Sequence, residues 1–386
     1  MNIAIDVRTI NNKQSGVGFY VRYLVEALGK IDKKNSYFLI TNNQEEEVLG
    51  EFAQNCRFLA TWFSNENHVL GDLWENFFLP LRLFWNQIDI FHGPAFLIPS
   101  LYRHRAAVVT VHDLVAYSYP HTIPIKYKYY MRMLIRAATL RADKVLVDSY
   151  SVKNELMDRL KVPEEKIHVV PLGVSPSYRV VNNRNLIKSV KEKYGIKKDY
   201  ILQVGNIEPR KNLPRLFNAF SLVKEKTNNS YQLVNVGKKG WLYKEIFEML
   251  NKYGLQEDII FTEYVPEEDL VLLYNGAELL AYPSLYEGFG LPILEAMSCG
   301  TPVITSNVSS MPEVAGKAAL LIDPLNGEEI AWAIHKVLTD TELKNRLKNS
   351  GLERTAFFSW EKTARQTLEV YQEAYKNKNS VIVVEK

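Results

Sequence analysis

Residues 279–296 read LLAYPSLYEGFGLPILEA, and this stretch decides the fold. An apolar run ends at Pro283, a loop with two glycines follows, and helical spacing begins at Leu291 with Pro292 in the first turn, where its missing N–H costs little. A strand that passes through a glycine-bearing loop into a helix is the repeating unit of a parallel α/β sheet. The segment therefore predicts an α/β protein.

The same alternation of short apolar runs and longer helical patterns fills the chain in two series. The first predicts strands Ile3–Asp6, Tyr37–Thr41, Ile88–Phe91, Ala107–Val111, Lys144–Val147 and Ile167–Val170, with helices near Val17–Lys30, Leu70–Trp85, Ile123–Leu140 and Ser151–Leu160. The second predicts strands Tyr200–Val204, Gln232–Val236, Asp258–Phe261, Leu279–Pro283, Pro302–Thr305 and Ala319–Ile322, with helices beginning near Leu213, Leu242, Glu267, Leu291 and Gly327. We expect two doubly wound sheets that bind ligand at the carboxyl ends of their strands.

Prolines and a polar basic stretch between residues 171 and 198 separate the two series, so we predict a linker there. The predicted domains are residues 1–175 and 176–359, and a last long helix covers about Trp360–Tyr375. Two domains facing each other across a cleft could share one ligand. The alternative is two independent domains with unrelated roles.

Composition favours a soluble globular protein and argues against several other classes. The 386 residues are 47% hydrophobic and 24% charged, and the net charge of +3 is too small to indicate nucleic-acid binding. Cys56 and Cys299 lie far apart, which predicts neither a metal site nor a disulfide and fits a reducing compartment. With no signal-peptide pattern and no long uninterrupted apolar run, we expect a cytoplasmic protein.

Two glutamates flank the glycine loop of the deciding segment. Glu287 lies in the loop and Glu295 about one turn inside the helix, so both are expected to face the space above the helix N-terminus. Free N–H groups and the helix dipole attract a diphosphate there, and Gly288 and Gly290 let the backbone approach it closely. Two glutamates eight residues apart are usually solvent-exposed surface residues without a function, but their position on either side of this loop favours a ligand site.

A pair of cations follows another predicted strand. Arg210 and Lys211 come just after Tyr200–Val204, with Asn212 as the expected N-cap of the next helix and Pro214 in its first turn. Two cations beside a helix N-terminus suit the charge that builds on a departing diphosphate. The alternative is a solvated turn. No D-x-D motif follows a strand, so no metal site is predicted.

The first half offers weaker candidates. Ser15-Gly16-Val17-Gly18 opens the first helix and is either a tight turn or a backbone ligand site. His112 follows a strand in a V-H-D-L context and is expected to reach ligand, whereas His92 is interpreted as structural. Residues 309–314 are interpreted either as a donor contact or, through Glu313, as a helix cap.

Residues 121–145 form a basic amphipathic pattern. Lys126, Lys128, Arg132, Arg136, Arg141 and Lys144 oppose a single acid, Asp143, and tyrosines and leucines occupy another helical face. Such a helix either packs on the core with a solvated outer face or lies on an anionic membrane leaflet.

Four segments together resemble family-4 retaining glycosyltransferases: SLYEGFGLPILEAM at 284–297, GNIEPRKN at 205–212, VHDL at 111–114 and SCGTPV at 298–303. The resemblance covers nearly the whole chain. It implies a GT-B fold, which is α/β with two Rossmann-like domains, the first on the acceptor side and the second holding a nucleotide-sugar donor. It also implies that residues 360–386 cross back to the first domain and that no cofactor or essential metal is needed.

The resemblance also implies roles for individual residues. Glu287 and His112 contact the donor sugar, Glu295 holds the ribose, and Arg210 and Lys211 bind the diphosphate. The remaining residues implied at the donor site are Gly288, Phe289, Gly290, Leu291, Gly16, Gly18 and Gly205.

The implied activity is retaining hexosyl transfer to a saccharide or lipid-linked saccharide acceptor, at the cytoplasmic face of the cell membrane. The form I-E-P-R-K-N at 207–212 resembles bacterial mannosyltransferases of surface-polysaccharide assembly, so GDP-mannose is the first choice of donor, with glucose, galactose, N-acetylglucosamine and rhamnose donors left open. The alternatives are a nucleotide-sugar 2-epimerase and a non-catalytic sugar-nucleotide-binding subunit. Nucleic acid is not an expected partner, and the sequence leaves the oligomeric state open.

Overall fold

The computed structural model describes residues 1–10, 16–42, 55–61, 77–99, 101–102 and 105–384, with side chains described to residue 380. Its strands form two parallel sheets, of seven strands in the order β3-β2-β1-β4-β5-β6-β7 and of six in the order β10-β9-β8-β11-β12-β13. The strands are β1 Asn2–Asp6, β2 Ser36–Asn42, β3 Cys56–Thr61, β4 Ile90–Gly93, β5 Ala106–Val111, β6 Lys144–Val147, β7 Ile167–Val169, β8 Asp199–Val204, β9 Tyr231–Val236, β10 Ile259–Glu263, β11 Leu279–Tyr282, β12 Val303–Ser306 and β13 Ala319–Ile322.

Helices connect these strands, as the parallel arrangement requires. They are α1 Gly16–Ile31, α2 Leu79–Trp85, α3 Val115–Ser118, α4 Ile125–Arg141, α5 Tyr150–Leu160, α6 Arg184–Lys193, α7 Leu213–Lys226, α8 Lys244–Lys252, α9 Glu267–Gly276, α10 Leu291–Ser298, α11 Met311–Ala315, α12 Gly327–Thr339, α13 Thr341–Thr355 and α14 Trp360–Val384.

Both sheets are doubly wound, which confirms the predicted fold class. In each sheet the strand order reverses direction once, between β1 and β4 in the first and between β8 and β11 in the second. Ligands of such sheets bind where the order reverses, because the loops on either side diverge there and leave a crevice at the carboxyl ends. In the second sheet these are the loops that carry Arg210 and Glu287.

The chain divides into two compact units. The first comprises residues 1–114, 129–173 and 360–386, and the second residues 115–128 and 174–359. The division differs from the predicted boundary in residues 115–128. This segment makes aromatic contacts in the second unit, where Tyr119 lies 5.5 Å from Tyr286 and Tyr127 lies 4.5 Å from Trp241 between ring centroids.

Helix α14 completes the first unit. It packs along α1 and against β4, β5 and β6. The hydroxyl of Tyr371 lies 2.6 Å from Nδ1 of His92, and the other ring nitrogen of His92 lies 2.8 Å from the Thr110 hydroxyl. All three side chains are buried. Burial, and to a smaller extent the charge of His112, lower the pKa of His92 to about 3. His92 is therefore a neutral core residue, which agrees with the structural role predicted for it.

Several elements differ from the sequence prediction. Strand β3 and helices α3 and α13 are absent from the prediction, and α11 agrees with one of the two alternatives for residues 309–314, a short helix. Helix α6 lies inside the predicted linker, and α14 extends to Val384 rather than ending near Tyr375. Of the predicted helix Leu70–Trp85, residues 70–76 lie outside the described residues, and the rest forms α2. No helix in the described part of the chain is long and apolar enough to cross a membrane.

Candidate active site

A cluster of three charged side chains lies at the reversal point of the second sheet. Arg210 and Lys211 stand on the short 3-10 turn Pro209–Lys211 after β8, and Glu287 stands on the loop after β11. One guanidinium nitrogen of Arg210 bonds to Oε2 of Glu287, and the ammonium of Lys211 lies 2.7 Å from Oε1. Each carboxylate oxygen therefore has its own cation. The structure thus brings together three predicted site residues, although Glu287 is 77 positions from Arg210 and 76 positions from Lys211 in the sequence.

Burial makes these charges interact strongly. Burial on its own raises the pKa of Glu287, but the charges of Arg210 and Lys211 outweigh it and hold the pKa at about 2. Burial lowers the pKa of Lys211, and the negative charge of Glu287 opposes that change. Glu287 is therefore ionised at neutral pH and holds both cations at the strand ends.

Hydrogen bonds to backbone carbonyls connect the loops that carry the cluster. The Leu285 N–H donates to the carbonyl of Arg210 at 2.9 Å, and the Arg210 side chain donates to the carbonyl of Tyr286 at 3.1 Å. The Ser310 hydroxyl lies 2.8 Å from the carbonyls of both Glu287 and Phe289. The segment at 309–314 thus supports the glycine loop. Phe289 itself is buried.

Glycines allow the close packing around Lys211. Gly205 adopts a φ of +143°, and a Cβ there would lie 2.8 Å from the Lys211 side chain. Gly290, the residue before α10, adopts a φ of +108°. A side chain at either position would be strained. At Gly205 it would also displace Lys211 from Glu287.

Asn212 corrects one detail of the prediction. It occupies the N-cap position of α7, but its side chain makes no capping hydrogen bond. Instead its amide donates to the carbonyls of Pro283 at 3.0 Å and Pro324 at 2.7 Å. Asn212 is buried and adopts a left-handed φ of 60°, which asparagine tolerates better than most residues. It therefore joins the loops after β8, β11 and β13 rather than capping a helix.

Glu295 is held by tyrosines inside the second unit. It lies in α10, and its Oε2 accepts a 2.7 Å hydrogen bond from the Tyr274 hydroxyl. Burial raises the pKa of Glu295 to about 7, although hydrogen bonds from Tyr274 and Tyr178 oppose the rise. The two glutamates of the motif consequently differ in charge near neutral pH: Glu287 is ionised and Glu295 is close to its titration point. Sequence reasoning missed both tyrosines.

His112 lies at the carboxyl end of β5 in the first unit, and both of its ring nitrogens have partners. Nδ1 lies 2.7 Å from the carboxylate of Asp148, and Nε2 lies 3.0 Å from the carbonyl of Pro94. Burial lowers the pKa of His112, but Asp148 outweighs it and the pKa is raised. A carbonyl only accepts, so Nε2 carries a proton and a second proton lies between Nδ1 and Asp148. Sequence reasoning missed Asp148, although it directly follows β6 just as His112 follows β5.

The glycines at the start of α1 are less constrained. A Cβ at Gly16 would meet open space, whereas Gly18 is buried. Ser15 lies outside the described residues. The roles of Gly16, Gly18 and His112 toward a donor stay predictions, as does the placement of Gly288 and Leu291 beside a nucleotide. Glu313 lies within α11, and its carbonyl accepts a hydrogen bond from Arg354.

Two doubly wound units, with a cation pair and a glycine-loop glutamate at the reversal point of the second, define the GT-B class of glycosyltransferases. Residues 14–178 match the family model described as Glycosyltransferase Family 4, and residues 187–354 match the model described as Glycosyl transferases group 1. The chain is 35% identical to O-antigen chain mannosyltransferase B of Escherichia coli over 76% of this chain and 77% of that one. The chain belongs to glycosyltransferase family 4.

Two further proteins show how far the likeness extends. The serotype-specific mannosyltransferase WbdA of Escherichia coli is 34% identical over 63% of this chain, an alignment that spans 30% of WbdA. Sucrose-phosphate synthase from Thermosynechococcus elongatus superposes with a TM-score of 0.78 at 22% identity, over 97% of this chain and 99% of that structure. The structural likeness covers both units and supports the GT-B fold.

Proposed function

We propose that this glycosyltransferase moves mannose from GDP-mannose to a saccharide or lipid-linked saccharide, with retention of anomeric configuration and without a metal ion. One observation carries the proposal: ionised Glu287 is paired with both Arg210 and Lys211 where the order of the second sheet reverses. These groups match the needs of a nucleotide-sugar donor, which presents hydroxyls on one side and a diphosphate on the other.

The cations serve the leaving group in this proposal. Charge builds on the diphosphate as the bond to the sugar breaks, and preorganised donors in a buried site stabilise such charge most effectively. Arg210 has a nitrogen bonded to Glu208 as well as one bonded to Glu287, so its orientation is fixed before donor binds. Lys211 is fixed by Glu287 and by the Tyr282 hydroxyl at 2.7 Å. The N-terminus of α10, which begins at Leu291, adds the positive end of a helix dipole.

Glu287 serves the sugar. The anomeric carbon gains positive character in an oxocarbenium-like transition state, and a carboxylate that stays ionised stabilises that charge and accepts hydrogen bonds from sugar hydroxyls. Retention requires the acceptor hydroxyl to attack from the face that the diphosphate leaves. Glu295, deeper in the same motif, is proposed to accept the ribose hydroxyls.

Mannose is the proposed sugar because the relatives are mannosyltransferases by name. Besides the two Escherichia coli proteins, O-antigen chain mannosyltransferase RfbU of Salmonella typhimurium is 33% identical over 59% of this chain. The same names make a growing polysaccharide the proposed acceptor.

Metal independence is proposed because Arg210 and Lys211, both paired with Glu287, would supply the positive charge that a divalent ion otherwise provides to a diphosphate. Among the residues that the structure describes, no three His, Cys, Asp or Glu side chains lie together as a metal site. Turnover should therefore persist in EDTA, and loss of turnover that added Mg²⁺ restores would refute this part of the proposal.

The test is a donor screen with the purified full chain. We expect GDP and GDP-mannose to raise the melting temperature more than UDP or UDP-glucose, because binding stabilises the folded state by mass action. Transfer to a mannose-containing acceptor is then followed by NMR of the new anomeric centre. Stabilisation only by uridine nucleotides would refute the donor, and an inverted product would refute the mechanism. An epimer formed without acceptor would indicate an isomerase instead.

A further inference from the structure

The two glutamates of the motif at 284–297 have different kinds of partners. Glu287 is paired with two cations, whereas Glu295 accepts hydrogen bonds from tyrosine hydroxyls and has no ion pair in the part of the chain that the structure describes. Leu294 and Ala296 on either side of Glu295 are fully buried, but Glu295 itself is half-buried. Its carboxylate can therefore meet a ligand, and a carboxylate kept in apolar surroundings without a cation points to a functional role.

Tyr274 holds the carboxylate of Glu295 from the neighbouring helix α9. Its hydroxyl donates to Oε2 at 2.7 Å, and its backbone carbonyl accepts a 2.6 Å hydrogen bond from the Thr301 hydroxyl. The Tyr274 side chain is fully buried. A ring that is packed on all sides keeps one rotamer, so its hydroxyl fixes the orientation of Glu295 before any ligand binds.

Tyr178 supports the same carboxylate from the chain that precedes α6. Its ring packs edge-on against Tyr274, with centroids 5.8 Å apart, and it too hydrogen-bonds to Glu295. Asn275 attaches this segment to α9, because its side-chain oxygen accepts a 2.7 Å hydrogen bond from the Val181 N–H. An ionised carboxylate accepts about four hydrogen bonds, so the tyrosine hydroxyls leave about two acceptor positions. A ribose presents two neighbouring hydroxyls, which match these positions.

We propose that Tyr274 is a positioning residue for the donor, which fixes Glu295 so that the carboxylate accepts the hydroxyls of ribose and discriminates against deoxyribose. The inference rests on the proposed role of Glu295 at the ribose, but it does not depend on the base or the sugar of the donor. A site built to accept a hydroxyl binds an analogue without that hydroxyl poorly, because the acceptor is left unpaired. A carboxylate that rotates freely loses part of this discrimination, because each binding event must fix its orientation again.

The titratable groups that interact with Glu295 in the described chain are tyrosines, a second glutamate and a cysteine. They are Tyr274 and Glu267 of α9, Tyr178, and Cys299 at the end of α10. Charged and titratable side chains of the other elements packed against α10 have different contacts: Lys344 pairs with Glu278, Lys348 lies beside Gly300, Arg354 donates to the carbonyls of Glu313 and Val314, and Tyr282 bonds to Lys211.

This environment makes the arrangement sensitive to pH. Burial is the main cause that raises the pKa of Glu295 to about 7, the charge of Glu267 adds to the rise, and the tyrosine hydroxyls oppose it. Ribose hydroxyls donate to the ionised carboxylate, so donor binding should weaken as pH falls below about 7. Without the Tyr274 hydroxyl the pKa of Glu295 rises further, so the same loss should begin at a higher pH.

The experiment compares the affinities of GDP and 2′,3′-dideoxy-GDP by titration calorimetry of the full chain at about pH 8, where Glu295 is ionised. We expect the wild type to prefer GDP roughly 10- to 100-fold, because the analogue leaves a charged acceptor unpaired. Tyr274→Phe should lower this preference to about threefold or less, and Tyr178→Phe should lower it by a smaller factor. A wild type without the preference, or a Tyr274→Phe variant that keeps it, would overturn the proposal.

The same comparison is made with UDP and 2′,3′-dideoxy-UDP. Because ribose is common to both nucleotides, a chain that binds only the uridine pair would refute the proposed GDP-mannose donor and would still test Tyr274. The pH profile is a readout that a purely structural role would not move. For GDP-mannose or UDP-glucose, whichever binds, affinity should begin to fall about one pH unit higher in Tyr274→Phe than in the wild type. Profiles that superimpose would overturn the proposal.

Tyr200→Phe is the matched control. Tyr200 is also fully buried, and its hydroxyl donates to the Leu273 carbonyl of α9 at 2.6 Å, so this variant loosens the same helix without removing a hydrogen bond to Glu295. It should keep the wild-type preference for ribose, and an equal loss in Tyr200→Phe and Tyr274→Phe would overturn the proposal. In a double-mutant cycle, Tyr274→Phe should have no further effect on the preference once Glu295→Gln is present. A loss that adds to that of Glu295→Gln would show that Tyr274 acts independently of Glu295, and the proposal would be wrong.

Discussion

Replacing Arg210 by alanine tests the role assigned to the cation pair. In the wild type the guanidinium bonds to Glu287, to the Glu208 carboxylate at 2.6 Å and to the carbonyl of Tyr286 at 3.1 Å. The substitution removes the donor that we propose serves the diphosphate, and it leaves Lys211 as the one cation bonded to Glu287 among the described residues. Loss of one preorganised oxyanion donor costs about 2.7–4 kcal/mol, which corresponds to a fall of roughly 100- to 1,000-fold in kcat.

The pKa of Glu287 shows how strongly its surroundings favour the ionised carboxylate. Its displacement from the ordinary 4.5 to about 2 corresponds to roughly 3 kcal/mol of preference for the ionised form. Arg210 is the largest of the contributions that lower this pKa. Arg210→Ala should therefore also raise the pKa of Glu287 and weaken activity further at acidic pH, where a protonated Glu287 no longer stabilises a cationic sugar.

The assay is initial-rate transfer at saturating donor, with melting temperature as the check on folding. Arg210→Lys should fall between wild type and Arg210→Ala, since it keeps the charge but loses the planar fork. Arg346→Ala removes an exposed arginine from α13 and is the matched control with unchanged kcat expected. An Arg210→Ala enzyme that is folded and turns over at the wild-type rate would refute the reasoning.

Three further substitutions test individual features. Burial raises the pKa of Glu295 to about 7, so Glu295 destabilises the fold increasingly as pH rises from about 4.5 through 7. Glu295→Gln should therefore be more stable than wild type at pH 8 by up to about 3 kcal/mol, and this gain should vanish near pH 4 in urea titrations. Asp148→Asn removes the partner that raises the pKa of His112; it should cost about 3–5 kcal/mol at neutral pH and lower the pKa of His112 in NMR titrations. Tyr371→Phe leaves Nδ1 of buried His92 without its hydroxyl partner and should cost about 1–3 kcal/mol in chemical denaturation.

Each of these has an outcome that would count against it. Parallel stability–pH curves for Glu295→Gln and wild type would show that Glu295 titrates normally. An unchanged pKa of His112 in Asp148→Asn would contradict the ion pair between His112 and Asp148. Tyr375→Phe, a change of the same type on a half-buried residue of α14, is the control for Tyr371→Phe, and equal losses in both would contradict a special role for the His92 contact.

The fold was predictable because strands of parallel sheets are buried on both faces and read as continuous apolar runs. Strand β5, with all six residues buried, illustrates this. Strand β3 lies at a sheet edge, and Arg57 and Phe58 are exposed, so its sequence shows no such run. Helix α6 has Val190 as its one buried residue, and the sequence around it therefore reads as a polar linker.

The candidate site was predictable only where a local pattern places a residue at a strand end. This held for Arg210, Lys211 and Glu287. It failed for Tyr274, which supports Glu295 from a different helix 21 residues away, because no pattern within a segment encodes such a pairing. The structure likewise shows that Asn212 acts through carbonyls of two distant loops, where the local sequence suggests a cap.

The return of α14 to the first unit has a consequence for how the protein is made. A ribosome releases residues 174–359 before residues 360–384, so the continuous part of the second unit is complete while the first still lacks a helix. Until then His92 has no tyrosine partner and the faces of β4, β5 and β6 that α14 covers stay open to water. The unit that begins the chain therefore acquires its full set of contacts only after the continuous part of the other unit has been synthesised.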